Sequence, residues 1–266
     1  MPFTPSHAAA ALPFLRTPLL PAAVVIGTMA PDIPYYLPLF VPRDLSHSLL
    51  GLVTVDLALG VIGALLWWFV LREPVIDVLP RAVGARIPTV GRLAWRPRGW
   101  GWPLTAVVLL LSSLVGGATH LVWDSFTHAG WLVAHVAVLR VELGPLPLDK
   151  WLQHLSSIGG LVILAVWAVR RLRRTNPDAA RSTRFTAFER SVAEVFVVAA
   201  GAIGVAAPWL HGLSVGVPPF DPDLVFLAAR IGVAAACAAV ALVVILWFIL
   251  GRIPRRRPGS GPSLTT

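Results

Sequence analysis

The sequence contains a single cysteine, a single lysine and little charge of any kind: 13% of residues, against roughly twice that in a soluble domain. One cysteine excludes an intrachain disulfide framework and a cysteine-based zinc site, and Cys237 reads as a small member of an apolar run. A basic segment followed by an unbroken apolar helix is also missing near the N-terminus. Pro2, Pro5, Pro13, Pro18 and Pro21 interrupt it, so no signal peptide is expected. No soluble domain and no strong internal repeat stand out. What is abundant is apolar: 56% of the 266 residues are hydrophobic and they come in long blocks, which a bilayer requires.

Five blocks are long enough, or nearly so, to cross a hydrocarbon core: Leu49–Leu71, Pro103–Trp123, Trp151–Val169, Val192–Leu213 and Leu224–Leu250. The fold class expected is all-α, a polytopic transmembrane bundle of about five spans. Before them, Leu19–Met29 is apolar but short and broken by prolines, which reads as a re-entrant or interfacial helical segment. The alternative is a true span over about residues 8–30. Three regions follow: 1–170 with the histidines, several aspartates and the first three spans, 171–251 with two accessory spans, and a basic, disordered tail at 252–266.

The net charge of +9 does not point to nucleic acid, because arginine supplies it in clusters that follow apolar blocks. Six arginines lie between Arg72 and Arg98, seven between Arg170 and Arg190, and four between Arg252 and Arg257, together 17 of the 22 basic residues. Alternating spans put all three clusters on one side, which the positive-inside rule makes cytoplasmic in a bacterial plasma membrane. Arg16, Arg43, Arg140 and Lys150 fall on the other side in this scheme, and Arg230 inside the fifth span. Tryptophans near both sets of span ends read as interfacial belts.

All seven histidines (His7, His47, His120, His128, His135, His154 and His211) fall on the outer side, although they had no part in setting the topology. Chance would do this about one time in sixty if sides were independent. The densest piece is His120-Leu-Val-Trp-Asp124-Ser-Phe-Thr-His128, whose i, i+4, i+8 spacing puts imidazole, carboxylate and imidazole within an arc of about 80°. These are ordinary ligands of zinc-like ions, although a lone H-x-x-x-D is more often a hydrogen bond. Ala30-Pro31-Asp32-Ile33-Pro34 sets a carboxylate in a rigid turn, and His7, Ser46-His47-Ser48 and Gln153-His154 fall at the same depth. Taken singly, Asp32 and Asp44 read as caps and His47 and His154 as interfacial. Asp56, seven residues into the first span, needs a partner such as Arg16 or a proton. The pairs Gly60/Gly63, Gly116/Gly117 and Gly159/Gly160 read as close-packing positions.

On Met1-Pro-Phe-Thr-Pro-Ser-His7, Gly27-Thr-Met-Ala-Pro-Asp32, His47-Ser-Leu-Leu-Gly51, the His120–His128 motif and Gln153-His-Leu-Ser-Ser157, the first 160 residues resemble the DUF4184 family of bacterial membrane proteins. More distantly they resemble the predicted membrane-bound metal-dependent hydrolases and the zinc-dependent phospholipase C pattern. That resemblance implies a main metal site at Asp32, His47, His120 and Asp124. His7 would share Asp124 with a second ion, and His128 and His154 would serve another. The chain departs from the pattern where Ile158 stands in place of a glutamate and where an N-terminal tryptophan ligand is missing. One or two divalent ions, zinc by type, are therefore expected. The expected function is metal-dependent hydrolysis of a lipid or lipid-linked ester or phosphoester at the outer face, with Asp124 or Asp32 handling the water. Open beside it are a structural metal or polar cluster, and a small-solute or ion transporter.

Overall fold

The structure is a computed structural model describing residues 4–37, 39–88, 99, 101–178, 181 and 183–252. The expected tail lies, apart from Arg252, outside the described residues. Five helices are long and apolar enough to cross a membrane: Leu49–Val78, Trp102–His135, Leu148–Arg174, Ala187–Ser214 and Pro222–Leu250, here the first to fifth spans. The protein is an all-α polytopic bundle. Each span runs a little beyond its apolar stretch, because polar flanks continue the helix to a cap or turn. The only strands among the described residues, Glu142–Leu143 and Leu146–Pro147, pair antiparallel in a small hairpin that Gly144 turns at φ 71°.

Contacts divide the chain into two compact units, Met1–Arg72 with Ala85–Ala179, and Glu73–Gly84 with Ala180–Thr266. In the first, residues 4–27 are built into the bundle as two short helices. A 3-10 helix, Thr4–Arg16, lies against the third span, and an α-helix, Pro21–Gly27, lies against the first and second spans. Pro21 starts the second of these, where a missing N–H costs nothing. Between them the chain turns: the Leu20 N–H donates to Ser112 Oγ at 2.9 Å, and Leu20 and Ala23 join Ala64, Val108 and Leu109 in the core. Neither piece is a span, and the segment is re-entrant.

This corrects the side given to Arg16. The 3-10 helix is 13 residues long and rises about 2 Å per residue, so Arg16 sits roughly 24 Å from Thr4. There Leu15 and Arg16 line a crevice with Trp167, Arg170, Arg171 and Arg174, at the arginine-rich end of the third span. The expected pairing of Arg16 with Asp56 is not formed. Asp56 is 2% exposed, within a turn of π-helix over Leu52–Asp56, and neither of its oxygens has a hydrogen-bond partner among the described residues. Asp44 does not cap the first span either. Ser48 does, its Oγ accepting from the Gly51 N–H at 3.0 Å.

The second span carries its small and polar residues on one face. Thr105, Ser112, Ser113, Gly116, Gly117, His120 and Asp124 are buried at three- and four-residue spacing. Gly116 meets the Pro21–Gly27 helix so closely that a Cβ would strike the Val24 carbonyl and lie 2.7 Å from the Thr28 nitrogen. Small residues let backbones approach in this way, and here the approach delivers the Thr28 carbonyl to the level of His120.

In the second unit the fourth and fifth spans pair through Gly204 and Gly232, where a Cβ on Gly204 would lie 2.9 Å from the Gly232 Cα. A capping box at Thr186 and Glu189 starts the fourth span, and Asp221 caps the fifth. Buried Asp77 anchors this unit. Its Oδ2 accepts from the Arg184 and Phe185 N–H groups at 2.7 and 3.1 Å and from Trp247 Nε1 at 2.8 Å.

Candidate metal centre

Four separate pieces of chain supply the candidate ligands. His7 comes from the N-terminal 3-10 helix and Asp32 from the 3-10 turn Ala30–Asp32. His47 ends the turn Arg43–Ser46, and His120, Asp124 and His128 lie at the end of the second span. Pro31 and Pro34 hold the Asp32 turn, and Asp32 is 1% exposed. Gly51 packs under the His47 turn against the Leu45 carbonyl, where no Cβ would fit. His128 leaves the helix in extended backbone and folds back toward Asp124.

The side chains converge. His47 Nε2 lies 3.4 Å from Asp32 Oδ1 and 3.5 Å from Asp124 Oδ2. His120 Nε2 lies 3.7 Å from the same Asp32 oxygen and 3.5 Å from Asp124 Oδ2. His7 Nε2 approaches the other Asp124 oxygen at 3.5 Å, and His128 Nδ1 approaches Oδ2 at 3.4 Å. Two overlapping triads, His7–His120–Asp124 and Asp32–His47–His120, each hold their ligand atoms within 4.8 Å of one another. His7 also stacks on His120 with ring centroids 4.1 Å apart.

The second layer orients these groups. His120 Nδ1 is 2.8 Å from the Thr28 carbonyl, which can only accept, so Nδ1 carries a proton and Nε2 is the ring nitrogen turned toward two carboxylates. Thr4 Oγ1 donates to Asp32 Oδ2 at 2.6 Å and lies 3.0 Å from the Tyr36 hydroxyl. Ser46 Oγ is 3.0 Å from His47 Nδ1. Burial pulls His47 toward the neutral form, but its contacts with Asp124 and Asp32 outweigh this and push its pKa up to about 9.

What remains after these bonds are counted is a set of buried atoms without hydrogen-bond partners among the described residues. They include Nε2 of His7, His47, His120 and His128, Oδ1 of Asp32 and both Asp124 oxygens. Orphaned buried polar atoms are costly and rare, and here all but His128 Nε2 face one another. The separations of 3.4–3.7 Å are longer than charge-assisted N–H···O bonds of about 2.7–2.9 Å. They are close to the edge, about 3.4 Å, of a tetrahedron of ligands some 2.1 Å from a common ion. Two facing carboxylates and several imidazoles form a donor set that fits a divalent cation of zinc type.

Six of the seven ligand candidates are thus brought together. His154 is not: it is exposed on the third span and belongs to neither triad, while its neighbour Gln153 is the buried residue, accepting from Lys150 Nζ at 3.2 Å. His135 and His211 are also exposed. Reading residue by residue missed Thr4 and Thr28 as supporting groups. Thr4 gives a weak signal, as one of two hydroxyl residues, with Ser6, just before His7. Thr28 acts through its carbonyl, which no side-chain pattern reveals.

An all-α membrane protein of five spans with a buried histidine–aspartate centre is the class that fold and site define. Within that class, the family model described as "Domain of unknown function (DUF4184)" matches residues 1–253, and the chain belongs to this family. No curated protein and no solved structure matches it.

Proposed function

We propose that this protein is a membrane-embedded metal-dependent hydrolase acting on a lipid or lipid-linked ester or phosphoester. The observation that carries the reading is the set of orphaned ligand atoms around Asp124, buried at one end of the spans, where amphiphilic substrates present their polar bonds. Asp32, His47, His120 and Asp124 would hold one ion, and His7 with the second Asp124 oxygen could share another. Such an ion supplies Lewis acidity, which acidifies water and polarises a phosphoryl or acyl oxygen. The protein's own groups do the rest. The Thr28 carbonyl keeps the His120 Nε2 lone pair facing inward, and Thr4 fixes the Asp32 carboxylate. Asp124, which touches four imidazoles, or Asp32 orients the attacking water and takes its proton. Hydrolysis then adds water across the ester bond, releasing an alcohol and an acid. The arginine clusters support an orientation with this site on the outer face of a bacterial plasma membrane.

The test is a pair of variants, Asp124→Asn and His120→Ala, assayed in purified protein for metal content, thermal stability and hydrolysis of phosphoester and ester substrates. Retained folding with both metal and hydrolysis lost supports the enzyme. A metal-loaded wild type that hydrolyses none of these substrates removes it. Asp56 favours a second reading, transport, because a carboxylate inside a span, without a partner among the described residues, is a common mark of an ion path. Uptake of zinc or protons into vesicles, lost on Asp56→Asn, would replace the first reading with that one.

A further inference from the structure

Among the glycines of the first three spans, Gly159 stands apart. A Cβ there meets no atom within 4 Å, whereas at Gly160 it would lie 2.8 Å from the Ser6 carbonyl oxygen. The space beside Gly159 is a groove of about 630 Å³, within the range of small-molecule sites. Ala10 of the N-terminal 3-10 helix, Val115, Ala118 and Val122 of the second span, and Ile163 of the third give it an almost wholly apolar lining. Its polar lining residues are Ser6, Thr119, Ser156 and His7, the last being the residue whose Nε2 lies 3.5 Å from Asp124 Oδ1.

Beside the other Asp124 oxygen lies a second, smaller cavity of about 360 Å³. Its lining includes Asp124, His47, His128 and the cationic Arg43. The two oxygens of one carboxylate therefore stand between an apolar groove, reached through His7, and a cavity of mixed lining that holds Arg43, reached through His47 and His128. That order (hydrocarbon, ligand cluster, cation) matches the order of parts in an anionic amphiphile.

We propose that the groove at Gly159 is a hydrocarbon-chain subsite. It takes the chain of a lipid or lipid-linked phosphoester whose anionic head sits by Arg43, which sets the bond next to the head at Asp124. The proposal rests on the hydrolase reading for what happens at that bond, but not for binding of the chain. Gly159→Leu fills the groove from a position with open space, and a leucine is a better helix residue than glycine. Ala118→Leu fills it from the opposite wall.

The experiment measures binding of two probes, n-dodecyl phosphate and methyl phosphate, to zinc-loaded full-length protein in nanodiscs. Dodecyl phosphate is expected to bind Gly159→Leu at least about tenfold more weakly than wild type, with methyl phosphate affinity and zinc content changed less than about twofold. Ala118→Leu should repeat the pattern. Bilayer partitioning of the probe is the same for all three proteins and cancels. Equal loss for both probes, or unchanged dodecyl phosphate binding in both variants, overturns the proposal; the latter means that ordinary bilayer lipid fills the crevice. The readout needs no turnover, so a protein that binds by chain length yet hydrolyses nothing overturns the hydrolase reading alone.

Discussion

His120 and Thr28 lie 92 residues apart in sequence and meet at 2.8 Å, imidazole Nδ1 to backbone carbonyl, in the buried centre of the first unit. The contact exists because Gly116 lets the second span press against the Pro21–Gly27 helix. A Gly116→Ala substitution forces a methyl group into backbone, which typically costs about 1–3 kcal/mol. It should also withdraw the carbonyl that orients His120, weakening zinc binding about 10–100-fold, as loss of an outer-layer partner does. Zinc competition titration beside thermal unfolding measures both.

Thr4 tests the orienting layer at the other carboxylate. Its hydroxyl donates to Asp32 Oδ2 at 2.6 Å and lies near the chain's start. Thr4→Val keeps the shape and removes the donor. Metal affinity is expected to fall about 10–100-fold, while the metal-free protein loses about 1–3 kcal/mol for the buried Asp32 oxygen left without its donor. His154→Ala, at an exposed position outside both triads, should leave metal affinity at the wild-type value.

The pH dependence of stability should change sign with metal. In the metal-free protein His47 is held up to about 9, above its ordinary 6.5, by Asp124 and Asp32 against the pull of burial. A raised folded-state pKa contributes stability that is complete below about 6.5 and is lost as pH rises to about 9. A metal ion competes with that proton for Nε2, so metal affinity should instead rise with pH over the same window, by up to about tenfold per unit for each proton displaced. Thermal melts from pH 6 to 9, with and without zinc, would show opposite slopes.

Asp77 should matter to folding and not to the metal. Its buried carboxylate accepts two backbone N–H groups and the Trp247 indole in the second unit, with Arg190 Nη2 at 3.8 Å from its other oxygen. Asp77→Ala leaves those donors and a buried guanidinium uncompensated, at a cost of about 3 kcal/mol. Protease sensitivity of the fourth and fifth spans should rise while zinc stoichiometry stays at the wild-type value.

Much of the bundle was legible because long apolar blocks and clustered arginines report span positions directly, as at Trp102–His135 and Leu148–Arg174. The His120–Asp124–His128 row was legible because helical spacing is local. Bringing His7, Asp32 and His47 to that row was a matter of shared depth and family resemblance, since non-local packing leaves no periodicity. Arg16 was misplaced for the same reason: nothing local reveals that its helix runs along the third span. His154 shared the depth of the cluster, but the third span turns Gln153 inward instead. Gly159 and Gly160 look alike in sequence, yet one packs against the Ser6 backbone and the other opens onto a groove.

The most direct measurement is the metal content of full-length protein extracted in mild detergent, beside that of Asp124→Asn. Between one and two equivalents of zinc, manganese or iron in wild type, lost in the variant, is the expected result. Less than about 0.2 equivalents in a folded wild type, after incubation with each metal, would contradict the metal centre and the hydrolase reading built on it.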